Sequence, residues 1–67
     1  MPLPVQFWEQ GAGQPFDEIV MPAMPRVGEK IFAQQPGRVV EMVVTEAGYD
    51  VAPGASIAWI VVHTLEG

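Results

Sequence analysis

The sequence predicts an all-β fold, a small barrel or sandwich of five short strands. Runs rich in β-branched and aromatic residues alternate with Gly and Pro turns at close spacing, and no ten-residue stretch shows a helical period free of Pro or Gly. The five runs that qualify as strands are Val5–Gln10, Phe16–Met21, Lys30–Gln34, Arg38–Thr45 and Ile57–Leu65. With 67 residues and no internal repeat, we expect a single domain, residues 1–67.

The first two runs predict a hairpin. Val5–Gln10 alternates well enough for a short strand, the segment Gly11–Pro15 is a Gly-rich connection, and Phe16–Met21 follows as the second strand. The next segment, Pro22–Arg26, has two prolines, which cannot donate to a strand ladder. We expect it to be an extended connection, although its Pro-x-x-Pro spacing also fits a polyproline ligand of an aromatic groove.

The third and fourth runs are predicted to be strands joined by a tight turn. Lys30–Gln34 is the third strand, although a single helical turn also fits it. Pro36 and Gly37 indicate a turn, because Pro presets one turn angle and Gly accepts a positive φ. Arg38–Thr45 is dense in β-branched residues and is the fourth strand. The segment Glu46–Ser56 contains two glycines and a proline, and is predicted to be a loop.

The last strand is mostly apolar on both faces. A sheet with one solvated face would carry polar residues at alternate positions. The two sets are Ile57, Trp59, Val61, His63 and Leu65 on one face, and Ala58, Ile60, Val62 and Thr64 on the other. Both faces therefore need cover, from a closed barrel, a partner chain or both. Because so short a chain has little core and no cysteine for a disulfide, we expect a homo-oligomer.

The charge and hydropathy of the chain exclude several partner classes. Eight acidic residues against three basic ones give a net charge of −5, and the three cations are scattered. Nucleic-acid backbones and anionic membranes need clustered Lys and Arg, so neither is an expected partner. The longest apolar run, residues 57–62, is far shorter than the ~20 residues that span a bilayer. With no early basic segment and no cysteine, we expect a soluble cytoplasmic protein.

The sequence carries no catalytic signature, so we expect no enzymatic activity, cofactor or metal. The segment Gly11–Gly13 lacks the third glycine of a dinucleotide fingerprint. His63 is the only histidine, and the only serine, Ser56, lies seven residues upstream along the same strand and on its opposite face. His63 and Glu66 are too few ligands for a metal ion unless symmetry copies them.

One pattern resembles a known architecture. The segment Pro25-Arg26-Val27-Gly28-Glu29-Lys30-Ile31, followed by Gly37-Arg38-Val39-Val40-Glu41-Met42-Val43-Val44, is similar to the strand entry, tight turn and valine-rich strand of small SH3-like barrel proteins. Many of these are uncharacterised proteins of bacteria, phages or mobile elements. The resemblance spans about residues 16–65 and implies a small five-stranded SH3-like barrel. It carries no functional residues, and the predicted 46–56 loop is long for a minimal barrel.

The remaining candidates for function are surfaces. We expect core packing to take up most of the six aromatic residues, with an aromatic groove for a peptide or small ligand as the alternative, and Met21, Met24 and Met42 could form an adaptable contact surface. Trp59 is the strongest candidate for an interface anchor, because aromatic residues dominate binding hot spots. The candidate interface residues are Trp59, Val61, His63, Val43, Trp8 and Tyr49.

These observations predict a non-enzymatic, oligomeric binding or assembly module, of the kind that a phage or mobile element encodes. Two alternatives stay open. The first is a small acidic inhibitor or adaptor that uses its negative charge against a basic partner protein. The second is a ligand-binding barrel whose pocket forms at a symmetric subunit interface, lined by copies of Trp59, His63 or Tyr49.

Overall fold

Five strands form one curled sheet in the computed structural model, which describes residues 2–65. The strands are β1 (Leu3–Glu9), β2 (Asp17–Met21), β3 (Lys30–Gln35), β4 (Arg38–Ala52) and β5 (Ala55–Leu65). Their order across the sheet is β2-β1-β5-β4-β3. β1 and β5 run parallel, and the other neighbours are antiparallel. The predicted all-β class with five strands is confirmed, and the sheet curls into a half-barrel whose edges are β2 and β3.

The connection between β2 and β3, residues 22–29, crosses one end of the half-barrel without forming a strand of its own. Pro25 is buried and Met24 packs against the core, so this segment is a connection that covers part of the core. Its end is tied to β4, because the Gly28 N–H donates to the Val44 carbonyl at 2.8 Å and the Val44 N–H donates to the Glu29 carbonyl at 2.9 Å.

The prediction of a loop over residues 46–56 was wrong. β4 continues to Ala52 and β5 begins at Ala55, so the two strands form one long hairpin closed by the Pro53–Gly54 turn. Gly54 has a φ of +78°, which suits the third position of a tight turn after a proline. Pro53 and Gly54, which indicated an eleven-residue loop, form a turn of two residues.

The core lies on the concave face of the sheet, with β5 at its centre between β1 and β4. Seven side chains are buried there: Val5, Phe7, Met42, Val44, Ala58, Ile60 and Val62. The other face of β5 is covered less well, since Ile57 and His63 are exposed and Trp59, Val61 and Leu65 are half-buried. Curling therefore covers one apolar face of the last strand within the chain and leaves the convex face partly open.

The far end of the β4–β5 hairpin extends away from this core. Residues 49–57 are all exposed, and we call this segment the hairpin arm. Val51 is 80% exposed and Tyr49 is also exposed, so the arm gives the core no cover. Its stability depends on its own ladder, in which Asp50 pairs with Ile57 and Val51 pairs with Ser56.

Candidate functional site

An apolar cleft of about 540 Å³ lies between the two edge strands, β2 and β3. Core side chains form its deepest part, among them Phe7 and Met42. Ile19 of β2 lines one side, and Ile31 and Ala33 of β3 line the other. The cleft is where the half-barrel stays open, so it gives access from solvent to the apolar concave face.

The two walls of the cleft are unpaired strand edges. In the part of the chain that the structure describes, no Cα atom of β2 lies within 8 Å of a Cα atom of β3, and neither strand has a second neighbour. An edge strand presents a row of N–H and C=O groups with no ladder partner. Neighbouring strands are spaced by about 4.8 Å, so a strand placed between β2 and β3 needs about twice that distance between them. A Cα separation above 8 Å is compatible with this requirement.

Large apolar side chains at the cleft are exposed. Phe16 is 53% exposed and Ile19 42%. The Phe16 ring makes an edge-to-face contact with buried Phe7, with ring centroids 6.1 Å apart. The expectation that the core absorbs most aromatic residues was wrong, because Phe7 is the one aromatic side chain buried within residues 2–65. Phe7 and Phe16 both line the cleft, and the aromatic groove weighed as the alternative stays a prediction.

Two carboxylates line the cleft with the apolar residues. Glu9 ends β1, and its Oε2 accepts a hydrogen bond from the Thr64 hydroxyl at 3.2 Å. Asp17 begins β2, and its Oδ1 accepts the Glu18 N–H at 2.8 Å. No Lys or Arg is among the lining residues of the described chain. The cleft is therefore apolar along its length and negatively charged where β1 ends and β2 begins.

The structure brings five of the six predicted interface residues onto the convex face. Trp8 is in register with Val61, and Val43 is in register with His63. Trp59 lies on the same face of β5 as Val61 and His63, since alternate residues share a face. Tyr49 does not join them, because it pairs with buried Ala58 and so lies on the other face, within the hairpin arm.

None of the six predicted interface residues lines the cleft, but Met21 and Met42, two of the three methionines predicted as a contact surface, do. A second signal was the run Phe16-Asp17-Glu18-Ile19, which places two large apolar residues beside carboxylates in a short strand. Such a run is ordinary in a β protein. That β2 and β3 become the two edges of one cleft depends on strand order, which the run does not encode.

The groups weighed as metal ligands or as a catalytic pair fall partly or wholly within the described residues. Within residues 2–65 no group of three or more His, Cys, Asp or Glu side chains could hold a metal ion, and Glu66 lies outside the described residues. Ser56 and His63 lie on opposite faces of β5, as predicted from their spacing. Residues 2–65 include no helix long and apolar enough to cross a membrane.

Comparison with known proteins adds no relative. No protein-family model matches the chain, and neither a curated protein nor a solved structure does. The similarity to SH3-like barrels thus stays a prediction, and the shape and charge of the cleft are the basis for a functional proposal.

Proposed function

We propose that this protein is a non-enzymatic binding module that takes an extended segment of a partner protein into the cleft between β2 and β3. The observation that carries this proposal is the combination of an apolar cleft with two unpaired strand edges as its walls. An inserted strand would pair its backbone with one or both edges, and its side chains would cover the exposed apolar residues. This is recognition by β-strand addition.

A polypeptide strand suits the cleft better than a small apolar ligand does. A small ligand would cover side chains such as Phe16 and Ile19 but would leave the backbone groups of both edges unpaired. An extended peptide offers N–H and C=O groups along its whole length, at the spacing of a strand ladder. It also places alternate side chains toward the cleft, where the apolar lining favours aliphatic or aromatic groups.

The dimensions of the cleft set the length of the segment. β2 has five residues and β3 has six, which at about 3.3 Å per residue gives walls of roughly 17–20 Å. A segment of five or six residues spans that length. β2 and β3 run in opposite directions, because β2 is antiparallel to β1, β1 is parallel to β5, and β4 and β3 each reverse the direction. An inserted strand is therefore antiparallel to one wall and parallel to the other.

The test uses a panel of end-capped, fluorescently labelled hexapeptides in which three alternate positions are Val, Ile, Leu or Phe and the others are Thr. Binding is followed by fluorescence anisotropy. The blocking variant is Ile19→Lys, which puts a charge into the cleft at a half-exposed position that should tolerate it. The matched control is Val51→Lys on the hairpin arm, which makes the same kind of change at a more exposed site.

We expect saturable binding by some members of the panel, at least tenfold weaker binding by Ile19→Lys, and unchanged binding by Val51→Lys. No saturable binding across the panel would contradict the proposal. So would equal binding by wild type and Ile19→Lys. Tight binding of a small apolar dye, blocked by Ile19→Lys with no peptide bound, would favour the ligand-binding alternative.

A further inference from the structure

We infer that the segment taken into the cleft carries a Lys or Arg side chain at the end that lies beside Glu9 and Asp17. This inference rests on the proposed function and names the chemistry of the partner. The observation behind it is charge: both ionisable residues that line the cleft in the described chain are carboxylates, and no cation lines it.

The two carboxylates are held in place by hydrogen bonds. Glu9 is half-buried, and the Thr64 hydroxyl holds one of its oxygens. Asp17 is exposed, and its carboxylate accepts a hydrogen bond from the N–H of the next residue, Glu18. Neither forms an ion pair with another residue of the described chain, in which the one ion pair joins Lys30 Nζ and Glu41 Oε2 at 3.0 Å. A basic side chain of the bound segment would therefore pair with carboxylates that have no ion-pair partner in the described chain.

A half-exposed aromatic ring lies beside these charges. Phe16 precedes Asp17 and also lines the cleft, and its edge-to-face contact with Phe7 fixes its ring. A Lys or Arg side chain combines an apolar stem with a charged head. The stem can pack on the Phe16 ring while the head pairs with a carboxylate, and the ring face itself attracts a cation. A ligand with apolar side chains alone would bring no positive charge to balance the Glu9 and Asp17 carboxylates beside it.

The hairpin arm of a second copy is a poorer occupant for the same reason. The arm is apolar and exposed, but the one charged residue in it is Asp50. Placing the arm in the cleft of another copy would bring Asp50 into a site already lined by two carboxylates. The local charge pattern thus favours a segment of a different protein, and not the arm of a second copy, as the occupant of the cleft.

The test extends the hexapeptide panel with Lys, Gln or Glu at either end. Both ends are needed because the inserted strand can run in either direction between antiparallel walls. Three variants remove one charge each with little change of shape: Asp17→Asn and Glu9→Gln in the cleft, and Asp50→Asn on the arm as the matched control. Each peptide is titrated against each variant at low and high salt.

For one of the two peptide ends, we expect the peptide with Lys at that end to bind about three- to tenfold more tightly than the peptide with Gln there. The peptide with Glu at that end should bind most weakly. Asp17→Asn and Glu9→Gln should each reduce this preference, Asp50→Asn should keep it, and high salt should weaken it. Equal binding of Lys- and Gln-ended peptides would overturn the inference and leave the proposed function standing, whereas failure of every peptide to bind would remove the proposed function itself. A peptide of residues 49–57 that displaced the Lys-ended peptide would assign the cleft to a second copy and would also overturn the inference.

Discussion

Gly48 of β4 lies directly opposite Trp59 of β5, and the indole ring occupies the space where a side chain at position 48 would be. A Cβ atom added to Gly48 would come 2.7 Å from Trp59 Cζ2 and 3.1 Å from Cη2. Gly48 has no positive φ, so the constraint is one of space and not of backbone conformation. Because Gly48 has no side chain, Trp59 can lie flat on the convex face. The two residues form one cross-strand pair.

Gly48→Ala should destabilise the protein by about 1–3 kcal/mol, the usual cost of overpacking. The indole is rigid, so relief requires Trp59 to leave its position or the two strands to separate. The measurement is the urea midpoint at constant m-value. Gly13→Ala is the control, because a Cβ there meets nothing within 4 Å, and its effect should stay within about 0.5 kcal/mol.

A double variant identifies the cause of that loss. If the clash with the indole is responsible, Gly48→Ala should cost much less in a Trp59→Val background, and the coupling between the two changes should be about 0.5–3 kcal/mol. Additive effects of the two substitutions would mean that Gly48 matters for another reason, such as the conformation of β4. The single variant Trp59→Val gives the change in the free energy of unfolding that is due to loss of the indole itself.

The two isoleucines of β5 should respond differently to the loss of one methylene. Ile60→Val removes it from the fully buried centre of the core and should cost about 0.5–1.5 kcal/mol. Ile57→Val makes the same change on the hairpin arm, where the side chain is 44% exposed, and should cost less than about 0.5 kcal/mol. Equal shifts in the urea midpoint would contradict the assignment of the core to the concave face.

The sequence was enough to predict the fold class, because strand formation left local signals. The dense valines of β4, the long apolar run of β5 and the Pro36–Gly37 turn all indicated strands and a tight connection. The loop prediction for residues 46–56 failed because a glycine such as Gly48 indicates a loop when the sequence alone is considered. The reason for a glycine at this position becomes clear in the structure, where Trp59 lies opposite it.

The candidate site could not be predicted in the same way. A cleft between β2 and β3 follows from the order β2-β1-β5-β4-β3, in which these two strands become the edges. That order depends on the parallel pairing of β1 with β5, a contact between residues more than fifty positions apart. The aromatic residues were assigned to the core for a related reason: Phe16 is a large apolar residue of the kind found in cores, but it lies at an opening that local sequence does not reveal.

The hairpin arm should be a formed but separately stable part of the sheet. NMR should give cross-strand contacts between Asp50 and Ile57 and between Val51 and Ser56, and the arm amides should exchange with solvent faster than those of Val44 and Val62. Gly54→Ala should weaken the arm contacts, because an L-residue at a φ of +78° costs about 1–2 kcal/mol. Loss of the arm contacts with unchanged core amides is the expected pattern. Unfolding of the whole domain would show that arm and core are one cooperative unit.

The homo-oligomer stays a prediction, and the convex face is where we expect copies to meet. Three residues are only half-buried there: Trp8, Trp59 and Val61. Molar mass measured by sedimentation over a wide concentration range should rise from monomer to dimer or larger. Val61→Lys should shift the association to higher concentration, whereas Val51→Lys on the arm and Ile19→Lys in the cleft should not. A single monomeric mass at every concentration would contradict the prediction, and association lost only in Ile19→Lys would move the contact between copies to the cleft.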